Sequence, residues 1–475
     1  MNLERIFLTL LLDALFIGAL IILGLMITSV ILPEKQSNLK LWLAFPLGAG
    51  SYTWFLFLLS WLGISLTLRT TLLSYFALLI PFSFFLISKD RGSKMSNRQP
   101  FTLIGPIRIL APRSIMVISL IGLVLFLISI VLSIGLSYSS WDAIAIWSIK
   151  GYGITLEETI FAGKVWGAHN LSRPLNIPIL ISLFRMLDGD ILPGSKMIFT
   201  LYYSSLLGGI YTFWISQSIP KFIAGLGALF IGSIPIVFEH STMGYANLPF
   251  CVYITLGVLN EIDGVAYGDC SRQLLGGLCL SLACWTRPEG AFLVPIVMLA
   301  LFLSLRWLKI GRPDFKVWVI PVLGMLGVWS MFTQVYGEKT IMSQAFRTAF
   351  EAIRHLDLHL DSVYIIFRYV SAQFIKTDTW GLIVPIVAIL IFINRKKINH
   401  RENRISMVLF AAVLSMGFAT WAFFYLASFV RDLYWQLDTS ANRMFLPLSI
   451  MILVWAIMLS ADPSHDKKIS WMINP

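Results

Sequence analysis

Charge is scarce in this chain. Asp, Glu, Lys and Arg make up 13% of its 475 residues, about half the share usual in soluble domains. So thin a supply cannot clothe a set of water-soluble domains, although the length would otherwise allow several. Cysteine is scarce too. Cys251, Cys270, Cys279 and Cys284 form no CxxC pair, and most lie in or beside apolar runs. They read as small packing residues rather than as a redox or zinc framework. Alternating apolar and polar residues are missing, which excludes a β-barrel reading. There is no low-complexity tract, no clear internal repeat and no evident cleavable leader, so Ile6–Leu32 reads as a retained span.

What the chain has is apolar length. Hydrophobic residues are 57% of it, in runs such as Ile115–Leu136 and Phe222–Phe238. Each is near the roughly 20 residues that cross a bilayer as a helix, the element that satisfies its own backbone groups in lipid. The expected fold is an all-α integral membrane protein, a polytopic helical bundle. About thirteen membrane segments are expected, near 6–32, 41–62, 70–87, 114–138, 195–216, 222–239, 244–261, 273–286, 288–305, 317–336, 380–394, 405–429 and 444–461. Segment 273–286 is too short to cross alone. It forms a hairpin with 288–305, turning at Trp285–Gly290. No inverted pair of broken helices, a frequent mark of transporter sites, is evident.

The net charge of +11 lies in short loops. Lys89, Arg91, Lys94, Arg98, Arg108 and Arg113 occupy 89–113. Arg306, Lys309, Arg312 and Lys316 occupy 306–316. Arg395, Lys396, Lys397, Arg401 and Arg404 occupy 395–404, and Lys467 and Lys468 the tail. The thirteen-segment map puts all of these on one side, the cytoplasmic one by the positive-inside rule. No basic comb with interleaved aromatics points to nucleic acid. The opposite side receives loops 139–194, 337–379 and 430–443. Within the first, apolar segment 175–187 reads as an interfacial or re-entrant helix, because a span there would break the charge pattern. The chain divides into a three-span extension with its basic loop (1–113), a helical region (114–461) and a cytoplasmic tail (462–475). The expected location is the plasma membrane, multi-pass.

The chemistry-bearing residues gather on the non-cytoplasmic side. Asp142 follows a span directly, flanked by Trp141 and Trp147, with Lys150 two helical turns on. A carboxylate there can accept a proton from a hydroxyl nucleophile, or simply cap the next helix. Arg173, Glu239, His240, Arg287, Glu289 and Arg443 lie in or at the ends of membrane segments, where charge is expensive and usually faces a cavity or partner. Guanidinium groups bind phosphate oxygens bidentately, so a lipid-linked phosphate or pyrophosphate is a natural ligand. The bland alternative is local Arg287–Glu289 pairing or snorkelling to lipid headgroups. The sequence HLDLHLD at 355–361 offers His355 and His359 at a spacing shared by divalent metal sites and by ordinary amphipathic loop helices.

The order of motifs resembles the GT-C superfamily of membrane glycosyltransferases, in particular its family 39-like group of protein O-mannosyltransferases and the lipid A aminoarabinose transferase. The matching residues are Asp142 after a span, the proline-led segment from Arg173, then Tyr245-Ala246-Asn247-Leu248-Pro249, then Thr286-Arg287-Pro288-Glu289-Gly290, and last Ser440, Arg443 and Pro447. The resemblance covers roughly residues 114–461. Asn247 departs from an Asp common in that group, Arg287 from a Lys, and three spans precede the usual first one. The resemblance implies an inverting transferase that needs no cofactor. It uses a polyprenyl-phosphate sugar as donor, with a lipid, glycan or protein acceptor, in contact with membrane lipids. Asp142 would be the general base. Arg443, Arg287 and Lys150 would hold the donor phosphate, and Arg173, Tyr245, His240 and Glu289 would contact substrate. A lipid or glycan transporter or flippase, and a lipid-pyrophosphate-dependent glycan ligase or polymerase, are the alternatives.

Overall fold

The computed structural model describes residues 3–33, 36–94, 113–161, 171, 173–188, 194–311, 313–337, 341–355, 359–398 and 404–460. Most of the basic loop 95–112 and the tail from 461, with Lys467 and Lys468, lie outside them. Among the described residues the chain is all-helical, with no strand. Long helices come first: α1 (Leu3–Ile31), α2 (Ser37–Trp61), α3 (Leu68–Lys94) and α4 (Arg113–Gly135). A π-turn (Ala143–Ser148) leads into α5 (Ile149–Glu157), followed by α6 (Asn176–Asp188) and α7 (Gly194–Ser216). Next come α8 (Lys221–Ser233), α9 (Pro235–Met243), α10 (Asn247–Ala266), α11 (Cys270–Thr286), α12 (Gly290–Trp307) and α13 (Phe315–Tyr336). The remainder are α14 (Ile341–Arg354), α15 (Leu360–Phe374), α16 (Thr377–Trp380), α17 (Ile383–Ile398), α18 (Arg404–Ala427), α19 (Leu433–Met444) and α20 (Leu446–Met458).

Nine of these helices are long and apolar enough to cross a membrane, or up to eleven if two bent pairs each count as one span. The chain is therefore a multi-pass membrane protein. All thirteen expected segments are helical, but α11 and α17, with 17 and 16 residues, fall short of an 18-residue crossing length. A count of thirteen spans does not follow. Two consecutive helix pairs are also bent, where the sequence shows no inverted pair of broken helices. The pair α8–α9 bends by 63° and the pair α19–α20 by 42°. Pro235 sits in the first turn of α9 and Pro447 in that of α20. Each ring lacks the N–H that would continue the preceding helix.

Burial follows lipid rather than water logic. Helix α4 turns Met116, Leu120, Leu127 and Val131 outward and buries Ser129 and Ser133. Their hydroxyls bond Thr200 on α7 at 2.8 and 3.0 Å, and Ser129 also bonds Ser241 on α9 at 2.7 Å. Lipid tails offer such groups nothing, so they pair between helices. Helices α1 and α2 pack backbone to backbone. A Cβ on Gly24 would strike the Ala44 carbonyl oxygen, and one on Gly48 would strike that of Leu20, so the Ala44-x-x-x-Gly48 stripe sets their distance.

At the centre stands α10, buried along its whole length from Asn247 to Ala266. It runs about 30 Å at 1.5 Å per residue and joins two polar ends. Segment 175–187, expected as an interfacial or re-entrant helix, is α6, and of the two it is the interfacial alternative that is corrected. An interfacial helix keeps one face open, yet every residue from Leu175 to Phe184 is buried, packed among α1, α2, α5 and α7. Its apolar run meets protein on all sides.

Candidate functional site

The site forms at the Asn247 end of α10. Helix α9 stops at Gly244, whose φ of +86° and contact with the Tyr138 ring leave no room for a Cβ. That turn presents Tyr245 and starts α10 at Asn247. Helix α11 returns to the same end and breaks at Arg287-Pro288-Glu289 before α12 begins, which is the expected hairpin turn. Helix α19 brings in Arg443 one residue before its C-terminus.

Asp142 and Arg443, 301 positions apart, form an ion pair. Their side chains keep 26% and 18% of their exposure, so the pair remains reachable. Asp142 precedes the π-turn but makes no side-chain cap bond there; the capping expectation is corrected. The carboxylate turns to a formal charge instead, a stronger acceptor match than a backbone N–H. The Arg443 guanidinium also donates to the Thr439 carbonyl and lies over the Tyr245 ring, 5.0 Å from its centroid, a cation–π distance.

Beside this pair Arg287 grips Glu289 through two bonds of 2.9 Å. Burial opposes charge on both. Mutual attraction prevails, raising the Arg287 guanidinium and lowering the Glu289 carboxyl from their usual values. Glu289 is thereby committed to Arg287. The Arg287 guanidinium also lies 4.0 Å from the Met444 sulfur, next to Arg443. Arg173 feels Glu289, Arg287, Asp142 and Arg431, and burial above all lowers its guanidinium from the usual value. Lys150 is buried in α5, its Nζ 3.5 Å from the Arg173 carbonyl oxygen. Burial first, then the Arg173 guanidinium, pushes its ammonium down to about 7. His240 packs on Tyr245, ring centroids 5.6 Å apart, within the electrostatic reach of Arg443 and Arg287.

The structure thus brings Asp142, Lys150, Arg173, His240, Tyr245, Arg287, Glu289 and Arg443 into one neighbourhood. Two further residues join them. Arg431 acts on Arg173 and stacks on Trp435 at 5.7 Å. Its signal was available, since it stands in the same loop as Arg443. Asn247 donates to the Arg443 carbonyl oxygen at 3.3 Å, a contact that no spacing announces.

Of the 355–361 segment, the described histidines do not form the expected pair. Helix α14 ends at Arg354 and α15 begins at Leu360, with His359 in the left-handed region at φ 41°. His355 and His359 therefore share no helical face. His359 stacks instead on Phe429, centroids 4.2 Å apart. Asp357 lies outside the described residues. Among the described residues no three His, Cys, Asp or Glu side chains are grouped to hold an ion.

The neighbourhood holds three partly buried arginines, Arg173, Arg287 and Arg443, against two carboxylates, a surplus of one positive charge before Lys150 and the exposed Arg431 are counted. Partly buried surplus charge is costly unless an anion meets it, and guanidinium groups favour phosphate. The arrangement can bind a phosphate next to a carboxylate. No family model, curated protein sequence or solved structure matches the chain.

Proposed function

We propose that the chain is a membrane glycosyltransferase of GT-C type, acting at the extracytoplasmic face of a plasma membrane on a polyprenyl-phosphate sugar. The observation that carries this reading is the Asp142–Arg443 pair set among surplus arginines. The order of motifs supports it too. In the reaction an acceptor hydroxyl loses its proton to Asp142 and its oxygen attacks the anomeric carbon. The bond from that carbon to the phosphate oxygen breaks, and polyprenyl phosphate leaves with the electron pair, inverting the centre. Arg443, Arg287 and Lys150 stabilise the charge that grows on the phosphate. A donor phosphate competes for Arg443 and so frees Asp142 to act as a base. The acceptor is a lipid, glycan or protein hydroxyl, and the carrier's tail lies between spans. No metal is invoked.

The test is incubation of the purified full chain with a panel of polyprenyl-phosphate sugars and candidate acceptors, with products weighed by mass spectrometry. Transfer that consumes the carrier-linked sugar is expected. Binding of the carrier without any transfer across the panel would count against the reading.

A second reading is favoured by one observation, the two broken helices, α8–α9 and α19–α20. Broken helices with charged residues near the break also serve transporters and flippases. Movement of a labelled carrier across proteoliposomes, unaffected by Asp142→Asn, would favour that reading.

A further inference from the structure

Three buried acceptors without partners lie on residues that contact or adjoin Tyr245 and Arg443. His240 is 2% exposed. Its Nδ1 stands 2.8 Å from the Ile236 carbonyl oxygen, which can only accept. In the neutral ring Nδ1 therefore carries the proton. Nε2 is left as an acceptor, and it has no hydrogen-bond partner. Asn247 is also 2% exposed. Its Nδ2 donates to the Arg443 carbonyl oxygen, which fixes the amide orientation and leaves Oδ1 buried and unpartnered. Next along from Arg443, Asn442 Oδ1 is buried without a partner as well. An unmet buried acceptor costs about 1–3 kcal/mol, and native proteins leave few of them. Tyr245 links His240 to Arg443, its ring centroid 5.6 Å from that of His240 and 5.0 Å from the Arg443 guanidinium.

These atoms lack donors. Hydroxyl and amine groups both supply them, and charge separates the two. An ammonium would enter among Arg443, Arg287 and Arg173, and the two nearby carboxylates are already bound to arginines. A hydroxyl meets no such repulsion.

We propose that His240 and Asn247 recognise the hydroxyls of an uncharged sugar head group, and that the site discriminates against an amine-bearing one. This rests on the glycosyltransferase reading and narrows its donor class.

The full chain in nanodiscs is titrated with three probes: polyprenyl phosphate alone, the same carrier bearing a neutral hexose, and the carrier bearing the corresponding amino sugar. Wild type is expected to bind and use the neutral donor at least about tenfold better than the amine-bearing one. His240→Phe is expected to raise the KM for the neutral donor about five- to tenfold, with binding of the bare carrier unchanged. Asn247→Asp is expected to shrink or reverse the preference, because a carboxylate accepts an ammonium. Equal or better use of the amino sugar by wild type overturns the proposal. So does a loss of bare-carrier binding in His240→Phe as large as the loss with the neutral donor. Carriers that bind with no sugar discrimination overturn this inference alone. If no carrier binds, the transferase reading falls and takes the inference with it.

Discussion

The two ends of α10 each hold an aspartate–arginine pair, and they differ in what surrounds it. At the far end Asp263 takes Arg272 and also accepts from Ser216 at 2.8 Å and from Gln217. Arg272 is held in turn by Gln36 at 3.1 Å and Asp269 at 3.9 Å. Those side chains bond one another, although Glu261, two residues before Asp263, is buried at the same end with both carboxylate oxygens unpartnered. At the near end, among the described residues, Asp142 accepts from Arg443 alone. Around it stand surplus arginines and the unmet acceptors of His240, Asn247 and Asn442. Ion pairing by itself therefore does not mark a site. Idle lone pairs do not mark one either, since Glu261 has them at the far end; what sets the near end apart is guanidinium charge in excess of its carboxylates.

Substitution at the two aspartates tests this contrast most strongly. Asp142→Asn removes the base but keeps its shape. Transfer at saturating donor is expected to fall about 10²–10⁴-fold, with thermal stability in detergent close to wild type. A stable Asp142→Asn protein that still transfers at a comparable rate would end the role of Asp142 and direct attention to Glu157, Glu158 and Glu289. Asp263→Asn should do the reverse. It takes the closest carboxylate from Arg272 in a largely buried setting and leaves Gln36 and Asp269 to hold it, a loss of up to about 3–5 kcal/mol of stability, while the folded fraction keeps its rate per molecule. Loss of rate without loss of stability at position 263 would erase the distinction between the ends.

Arg443→Lys sharpens the comparison on a smaller scale. Lys keeps the charge but loses the planar fork, so donor affinity should drop about tenfold, partway to the Arg443→Ala value. Unchanged donor affinity in Arg443→Ala would take this residue out of the site. The smallest effect is expected from Lys150. Its ammonium is charged below about pH 7 and neutral above. Its contribution to holding an anionic donor is present on the acid side and lost as pH rises through 7. The change in KM should be no more than roughly fivefold, the reach of a modest charge interaction, and should vanish in Lys150→Met. A KM profile identical in both proteins removes Lys150 from phosphate binding.

Much of the fold was legible because lipid imposes a simple rule on composition. Each expected segment is helical, 222–239 as two helices with a bend between them, and most ends agree within a few residues. Length left the count open: α11 and α17, at 17 and 16 described residues, are shorter than the nine clear spans. The nature of α6 was hidden, since an apolar run reads the same whether lipid or protein surrounds it. The bends at Pro235 and Pro447 were written in the sequence but lost inside longer apolar stretches. At the site, charge placed in apolar surroundings picked out Asp142, Arg287 and Arg443. Partner choice stayed hidden, because it depends on which helices meet. A residue read as base or cap proved to be an arginine's partner, and Asn247 acquired its role through a carbonyl 196 positions away.

One feature of the first three helices reaches into the biogenesis of the whole chain. Thr53 on α2 donates to Asn176 Oδ1 at 2.7 Å, Asn176 donates to Thr286 at 2.8 Å, and the Trp285 indole donates back to Thr53 at 3.2 Å. The ring of contacts closes over 232 positions and ends beside the Arg287 turn. Until α6 and α11 are in place, the Thr53 hydroxyl has the Gly50 carbonyl of its own helix, 3.0 Å away, to bond. Interhelical bonds of this kind average only about 0.6 kcal/mol in bilayers, so the ring selects a docking register more than it supplies strength. A chain made without α1–α3 would still insert its later helices. It would then have several nearly equivalent ways to seat α6 and α11, and the arginine turn would lose its fixed address.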